Sequence, residues 1–171
     1  MAVPPARTAV LHFFGVGAAE IRFVDRLPTV ERVAAPLGPE IAPADSPLPL
    51  LRSRLLGKPD EVHVQGAAVT QVYGKPNGIR VLVTQIAGSG FDPSVGKKLA
   101  ATGTRADFLI VRGADGPAVW IEGRPHVVRF PGASPRLAAN TLIWLRRGVT
   151  VRVEGTLRRD QALRIANSLH N

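Results

Sequence analysis

The segment GSGFDPSVGKK is the part of the sequence that comes nearest in composition to a phosphate-binding loop. Such loops point backbone N–H groups at phosphate and end in Gly-Lys followed by Ser or Thr. Gly90 and Gly96 are separated by five residues, where the motif has four. Lys97 is followed by Lys98, and Pro93 lacks the N–H that a phosphate cradle would use. The spacing therefore favours a turn into a helix over a nucleotide site, and no cofactor is predicted.

The histidines offer little for metal binding. His12, His63, His126 and His170 are present, and none has a partner at metal-ligand spacing such as His-Glu-x-x-His. The chain has no cysteine, which excludes thiolate catalysis and cysteine-ligated zinc. His63 and His126 fall within strand-like segments, so we expect them to be hydrogen-bonded structural residues. No metal site is predicted.

The residues that could carry nucleophilic or acid–base catalysis are scattered. Ser89 in AGSGF lacks the Gly-x-Ser-x-Gly spacing of a nucleophile on a sharp turn. The candidate carboxylates fall in separate elements: Asp60, Glu61, Asp92, Asp107 and Glu122. The sequence therefore predicts no catalytic residue and no enzyme. The enzymatic alternative is a small hydrolase, which would need a deep pocket with a Ser or a carboxylate beside His63 or His126.

The chain is strongly basic, with a formal net charge of +9 and a sequence pI of about 11.3. Nucleic acid is the first partner that such a charge suggests, and an anionic membrane or cell-wall polymer is the second. Aromatic residues make up only 5% of the chain, which disfavours a base-stacking surface. The excess of Arg over Lys, with abundant Ala, Gly, Pro and Val, is also typical of a GC-rich genome. Nucleic acid binding is therefore kept only as an alternative.

Five arginines near the end of the chain form a candidate anion-contact patch. They would lie close together if the last hairpin packs against the last helix, and the competing interpretation is a solvated polar face. The five are Arg146, Arg147, Arg158, Arg159 and Arg164.

The elements that would position these residues divide the chain into three segments. Residues 1–25 predict a short helix in ARTAVLHFF and a strand in EIRFV, and residues 26–58 are a proline-rich extended lead-in. Residues 59–171 alternate between apolar and polar side chains in the manner of strands. Turn signals at KPNG, GADG and Arg147-Gly148 predict hairpins between those strands.

Two helices are predicted within the last segment. FDPSVGKKLAATG has Asp92 as an N-cap, Pro93 at the first helical position and Gly103 after its end. LRRDQALRIANSL places its apolar residues on one face. The predicted fold is therefore α+β: an antiparallel β-sheet built from hairpins, with one inserted helix and one C-terminal helix packed on one face.

The final stretch, NTLIWLRRGVTVRVEGTLRRDQALRIANSL, resembles the end of a widespread bacterial domain family of unknown function. LGKPDEVHV, QVYGKPNGIRVLVTQIAG and VWIEGRPHVV resemble its actinobacterial members, so the resemblance covers residues 48–169. Its motifs are structural, and it carries no functional residues over to this chain. Relatives tend to cap the last helix with Ser or Thr, where this chain has Arg158 with Thr156 two positions earlier.

In that family the domain lies outside the cell, at the C-terminal end of single-pass membrane proteins similar to anti-sigma factors. The resemblance therefore implies a membrane span upstream of this chain and an extracytoplasmic, regulatory or sensory role without catalysis. The expected partner is an envelope protein, a lipid or an anionic polymer. The alternatives are a basic nucleic-acid-binding protein and a lipid-carrier-like envelope protein, and the second would show an apolar cavity between sheet and helices.

Overall fold

A computed structural model of the chain describes residues 14–16, 19–24, 37–74, 81–87, 97–101, 104–124, 126–129 and 136–171. Over these residues the chain forms two β-sheets, a short 3-10 helix at Pro43–Asp45 and an α-helix, α1, at Arg159–Ser168. The strands are β1 Phe14–Val16, β2 Ala19–Val24, β3 Glu61–Gln65, β4 Ala68–Tyr73, β5 Val81–Ile86, β6 Lys97–Ala101, β7 Arg105–Leu109, β8 Ala118–Glu122, β9 His126–Arg129, β10 Arg136–Ala138, β11 Asn140–Arg146 and β12 Val149–Gly155.

The larger sheet has seven strands in the order β3-β4-β5-β12-β11-β8-β7, and every neighbouring pair is antiparallel. The hairpins predicted at KPNG, GADG and Arg147-Gly148 are confirmed as the pairs β4–β5, β7–β8 and β11–β12, and β3 and β4 form a further antiparallel pair. The turn between β11 and β12 uses positive φ at both central residues, 50° at Arg147 and 72° at Gly148. Two successive left-handed residues give the turn that matches the twist of paired strands, which explains the tight closure here.

The smaller sheet has the order β1-β2-β6-β9-β10. Its strands pair antiparallel except for β2 and β6, which run parallel. It joins strands from the beginning of the chain to strands from the middle. The division of the chain into three segments stays a prediction.

The predicted inserted helix is wrong. Lys97–Ala101, which the helical pattern covered, forms β6 and pairs with β2 on one side and β9 on the other. The residues 92–96 that were expected to open that helix lie outside the described part of the chain. Pairing with strands on both sides here overrides the helix preference of a short Lys- and Ala-rich segment.

The predicted C-terminal helix is confirmed as α1. Its apolar face is buried on the seven-stranded sheet through Ala162, Ile165 and Ala166, and Leu169 follows it into the same core. The helix starts after Arg158, whose backbone N–H donates to Gln161 Oε1 at 2.8 Å. That hydrogen bond satisfies one backbone N–H group at the N-terminus of the helix, although no Ser or Thr is present to cap it.

The two faces of the seven-stranded sheet differ in kind. The face under α1 is apolar and carries Trp120, Leu142, Trp144, Val151 and Val153, all buried. We refer to it as the helix-covered face. Strand alternation places the other side chains on the opposite face, where Thr70, Thr84, Thr150, Arg152 and Glu154 are also buried.

Strands of the smaller sheet reach this opposite face. His126 of β9 lies 3.3 Å from Thr141 Oγ1 of β11, and Arg136 of β10 hydrogen bonds to Glu154 of β12. Among the described residues, no helix is long and apolar enough to cross a membrane.

Residues 38–41, from the proline-rich lead-in, run along the β3 edge of the seven-stranded sheet. Ile41 N donates to Val62 O at 2.8 Å, and Val64 N donates to Pro39 O at 3.0 Å. Gly38 has a φ of 89°, and a Cβ there would overlap the carbonyl oxygen of Val64. Only glycine fits this close approach.

Candidate functional site

An open groove of about 1130 Å³ lies between the lead-in and the last two residues of the chain. We call it the proline-rich groove, because Pro43, Pro49 and Pro59 are part of its lining. Its basic residues are Arg52, Arg54 and Lys58, and all three are exposed. Among the described residues that line it, none is acidic. The groove therefore combines apolar rings with charged side chains of a single sign.

The groove is held together by contacts between distant parts of the chain. Arg52 and His170 exchange two backbone hydrogen bonds, of 2.7 Å and 3.0 Å. The Ser53 and Ser168 hydroxyls lie 2.6 Å apart and join the same two segments. The lead-in is thereby fixed against the end of α1.

A tight turn presents the cationic side chains. Ser53 Oγ accepts hydrogen bonds from the backbone N–H groups of Leu55 and Leu56, at 3.1 Å and 3.3 Å. Gly57 N donates to Ser53 O at 3.0 Å and closes the turn. Because the turn satisfies its own backbone groups, Arg54 and Lys58 project from a fixed frame.

Buried amide side chains fasten the proline-rich segment to the sheet below it. The Gln71 side chain donates to Leu51 O at 2.8 Å and accepts from Leu51 N at 3.0 Å. Gln85 Nε2 donates to Pro49 O at 3.0 Å. Side-chain amides supply hydrogen bonds here to a segment in which prolines lack N–H donors.

The five predicted anion-contact arginines are divided between the two ends of α1. Arg146 Nη1 donates to Leu169 O at 2.8 Å, beyond the C-terminal end of the helix. Arg146 and Arg147 line a small depression that shares Pro49, Leu51 and Asn171 with the proline-rich groove. These two arginines therefore extend the positive charge of the groove.

The other three arginines are the N-cap residue, the first residue and a mid-helix residue of α1, and they face acids. Arg164 Nη1 is 2.9 Å from Asp160 Oδ2, Arg158 Nε is 3.5 Å from Asp160 Oδ1, and Arg159 Nη1 is 3.8 Å from Asp107 Oδ2. Desolvation acts to raise the pKa of Asp160, but the hydrogen bond from Arg164 and the positive charge of Arg158 together hold that pKa below its ordinary value. Contact with anions by the five arginines stays a prediction.

The histidines that were considered for catalysis both lie in strands, as expected. His63 contacts Gly38 O through Nδ1 and Glu61 Oε2 through Nε2, both at 2.9 Å, so it helps to fasten the lead-in to β3. His126 is buried beside Thr141. In the described part of the chain, no group of three or more histidine and acidic side chains is arranged to hold a metal ion.

A buried ionic cluster on the opposite face was not predicted from the sequence. Glu154 accepts two hydrogen bonds from Arg136, at 2.8 Å and 2.7 Å, and forms an ion pair with Arg152. The three residues are between 2% and 6% exposed. The alternation in VTVRVEG was the available signal, because it places Arg152 and Glu154 on one face of a strand. The contribution of Arg136 comes from a different sheet and had no local signal.

Burial sets the protonation chemistry of this cluster. Desolvation lowers the pKa of Arg136 to about 10, and desolvation together with the charge of Arg136 lowers the pKa of Arg152. The two guanidinium groups of Arg136 and Arg152 both contact the carboxylate of Glu154. We assign the cluster a structural role, since it is enclosed and the groove is open.

Comparison with family models, with curated proteins and with solved structures gives no match to this chain. The resemblance noted in the sequence stays a prediction.

Proposed function

We propose that the chain is a non-catalytic, regulatory binding domain that takes an extended anionic polymer in the proline-rich groove. The observation that carries the proposal is the arrangement of Arg52, Arg54 and Lys58 around one groove with no acidic residue in its described lining. We further propose an extracytoplasmic location at a bacterial membrane. That location is supported by the family resemblance alone.

The groove suits an extended polymer that lies along it and continues beyond it at both ends. It is open to solvent, whereas sites for small molecules usually enclose most of the ligand surface. Arginine forms paired hydrogen bonds with carboxylate or phosphate, and lysine binds either as a point charge. Exposed proline rings offer apolar contact and lose little conformational entropy on binding. A carboxylate- or phosphate-bearing polymer of the envelope fits this chemistry.

A second depression, of about 670 Å³, lies beside Tyr73 and Gln161. It holds Asp60 and Arg164, which have opposite charges, so it favours no single sign of ligand. The space between α1 and the sheet is filled by the side chains of the apolar core, which gives no support to a lipid-carrier role.

The test is binding to labelled polyglutamate and polyphosphate, which present the two anionic chemistries. The variant Arg54→Gln with Lys58→Gln removes two exposed positive charges from the groove. We expect it to weaken binding by tenfold or more, whichever of the two polymers binds the wild-type chain better. The matched control is Arg158→Gln with Arg159→Gln, which removes the same charge at the other end of α1 and should change affinity less than threefold.

Three results would contradict the proposal. Equal weakening by the two double variants would show that net charge, or the predicted patch on α1, decides binding. Tighter binding to duplex DNA than to either polymer, with a steep dependence on salt, would favour the nucleic-acid alternative. Failure of the wild-type chain to bind either polymer at low ionic strength would remove the groove as an anion site.

A further inference from the structure

Arg147 has a backbone conformation that arginine rarely adopts. Its φ is 50°, and among the described residues it is the only residue other than glycine with a positive φ. It is the first residue of the two-residue turn between β11 and β12, which the pairing of Arg146 with Val149 closes. Asn or Gly is preferred at that position, because a side chain crowds the backbone in the left-handed region. Arg147 therefore occupies a position that another residue would fill with less strain.

The side chain of Arg147 is exposed, and no hydrogen bond or ion pair joins it to another described residue. The other four predicted anion-contact arginines differ from it in this respect. Arg146 donates to Leu169 O, and the three arginines of α1 and its N-cap face acids. Within the described part of the chain, Arg147 is therefore the member of the five whose guanidinium group is open to a ligand.

Arg147 lines the small depression that continues into the proline-rich groove. The linings of the depression and the groove share Pro49, Leu51 and Asn171. Arg54 and Lys58 belong to the lining of the groove, and Arg147 belongs to that of the depression. Positive charge is therefore available at two separate places on one continuous surface.

We propose that Arg147 is a second contact of the anionic polymer, and that the ligand is therefore a chain long enough to reach from the groove to the turn between β11 and β12. The proposal rests on the function proposed for the groove. Strained backbone positions cluster at sites that hold ligands, where the side chain serves binding at a cost in stability. Asn at this position would relieve the strain, but only a cation can pair with a carboxylate or phosphate of the polymer.

Three substitutions separate the strain from the charge. Arg147→Asn removes the charge and relieves the backbone, Arg147→Gln removes the charge alone, and Arg147→Lys keeps the charge. We expect the urea midpoint of unfolding to rise for Arg147→Asn and to stay unchanged for Arg147→Gln and Arg147→Lys, because Asn alone of the three tolerates the left-handed region well. An unchanged or lower midpoint for Arg147→Asn would contradict the assignment of strain to this residue.

Binding is measured with labelled long-chain polyphosphate or polyglutamate, whichever binds the wild-type chain better. Arg147→Asn and Arg147→Gln should each weaken binding roughly threefold, which lies within the range for one exposed ion pair. Arg147→Lys should keep the affinity within about twofold, since lysine binds as a point charge. The matched control is Arg158→Gln, which removes one charge at the start of α1 and should change the affinity less than about twofold.

Polymer length tests the proposed path of the ligand. Shortening the polymer stepwise should reduce the affinity of the wild-type chain until it equals that of Arg147→Asn, because a short chain in the groove no longer reaches Arg147. A difference between the two chains that stays the same at every length would reject the second contact.

Failure of this proposal differs from failure of the proposed function. If Arg54→Gln with Lys58→Gln weakens binding and Arg147→Asn does not, the groove remains the site and the second contact is rejected. If the wild-type chain binds neither polymer, or if the groove double variant has no effect, both proposals are rejected. Equal weakening by Arg147→Asn and Arg158→Gln would show that net charge decides, and would also reject the contact at Arg147.

Discussion

Both faces of the seven-stranded sheet contain fully buried side chains, but these differ in polarity. On the helix-covered face the buried polar side chains are the neutral amides of Gln71 and Gln85, and Gln71 bonds to the backbone of Leu51 and donates to the hydroxyl of Tyr73 at 3.0 Å. On the opposite face the polar groups include the charged cluster of Arg136, Arg152 and Glu154. Burial alone therefore does not determine which residue types a sheet face carries.

The opposite face joins two sheets that meet through a few specific polar contacts. A buried ion pair often stabilises a fold no more than a pair of apolar residues would. Removing only one of its two partners is costly, because the other charge stays buried. Substitutions on the helix-covered face should reduce stability in a graded way, since a smaller apolar side chain loses contact area in proportion to its size. Each face can therefore be probed by its own kind of substitution.

The largest effect is expected at Glu154. Glu154→Gln keeps the shape of the side chain but removes the carboxylate that pairs with two buried guanidinium groups. We expect a loss of about 3–5 kcal/mol in the free energy of unfolding, measured with urea. Asp107→Asn is the control, because its pair with Arg159 is about half exposed on both sides and should contribute less than about 1 kcal/mol.

A triple variant tests whether the cost of Glu154→Gln comes from unbalanced buried charge. Arg136→Met, Arg152→Met and Glu154→Leu together convert the cluster to apolar residues of similar length. Their combined effect should be far smaller than that of Glu154→Gln, because no charge is left buried alone. A triple variant as unstable as Glu154→Gln would show that the cluster stabilises the fold through more than its charge balance.

The second prediction concerns Tyr73, the only tyrosine of the chain and a buried residue of the helix-covered face. Burial raises its pKa from 10.0 to about 12. The folded chain holds this proton while the unfolded chain releases it, so stability falls as pH rises from about 10 to about 12. The loss over that window is on the order of 2–3 kcal/mol. Absorbance of the phenolate gives the pKa directly.

Arg136, on the opposite face, changes stability with pH in the direction opposite to that of Tyr73. The folded pKa of Arg136 lies near 10, below its unfolded value, so its contribution to stability rises with pH above that point. Comparison of the wild-type chain with Tyr73→Phe isolates the tyrosine, because Arg136 is common to both. A phenol that titrates near 10 in the folded chain would contradict the prediction.

The smallest effect separates two tryptophans of the helix-covered face, both almost fully buried. Trp120 Nε1 donates to Glu122 Oε2 at 2.9 Å, whereas Trp144 Nε1 has no hydrogen-bond partner among the described residues. Trp120→Phe should therefore cost about 1 kcal/mol more than Trp144→Phe in urea unfolding. Equal costs would show that ring packing decides both.

A spectroscopic readout checks the cause of that difference. The hydrogen bond from Trp120, followed by contributions of Arg105 and Arg159, lowers the pKa of Glu122 against the effect of desolvation. Trp120→Phe should raise this pKa, as followed by carboxyl resonances in a pH titration, and Trp144→Phe should leave it unchanged.

Local patterns predicted the hairpins of the large sheet because each hairpin is encoded by adjacent residues. Alternation marked β3, β4, β5, β7, β8, β11 and β12, and the apolar spacing of the last segment marked α1. The segment at Lys97–Ala101 was misjudged because its partners β2 and β9 are remote in sequence. A short segment without strong alternation takes its structure from its neighbours in space.

The candidate groove was visible from the sequence only as a proline-rich lead-in. Its shape depends on the contact between Arg52 and His170 and on the anchors at Gln71 and Gln85. These residues belong to four separate parts of the chain. No spacing rule connects them, so the sequence could supply the charges but not the site.

The contact between Ser53 and Ser168 has a kinetic consequence, because the two residues are 115 positions apart. Closing so long a loop is slow, and during synthesis the earlier residue waits until the later one has been made. The contacts of Arg52 and Ser53 with the end of α1 therefore form only after that helix has been made, whereas residues 38–41 can pair with β3 earlier. The groove forms among the last features of folding, so a polymer that occupies it would select chains whose folding is complete.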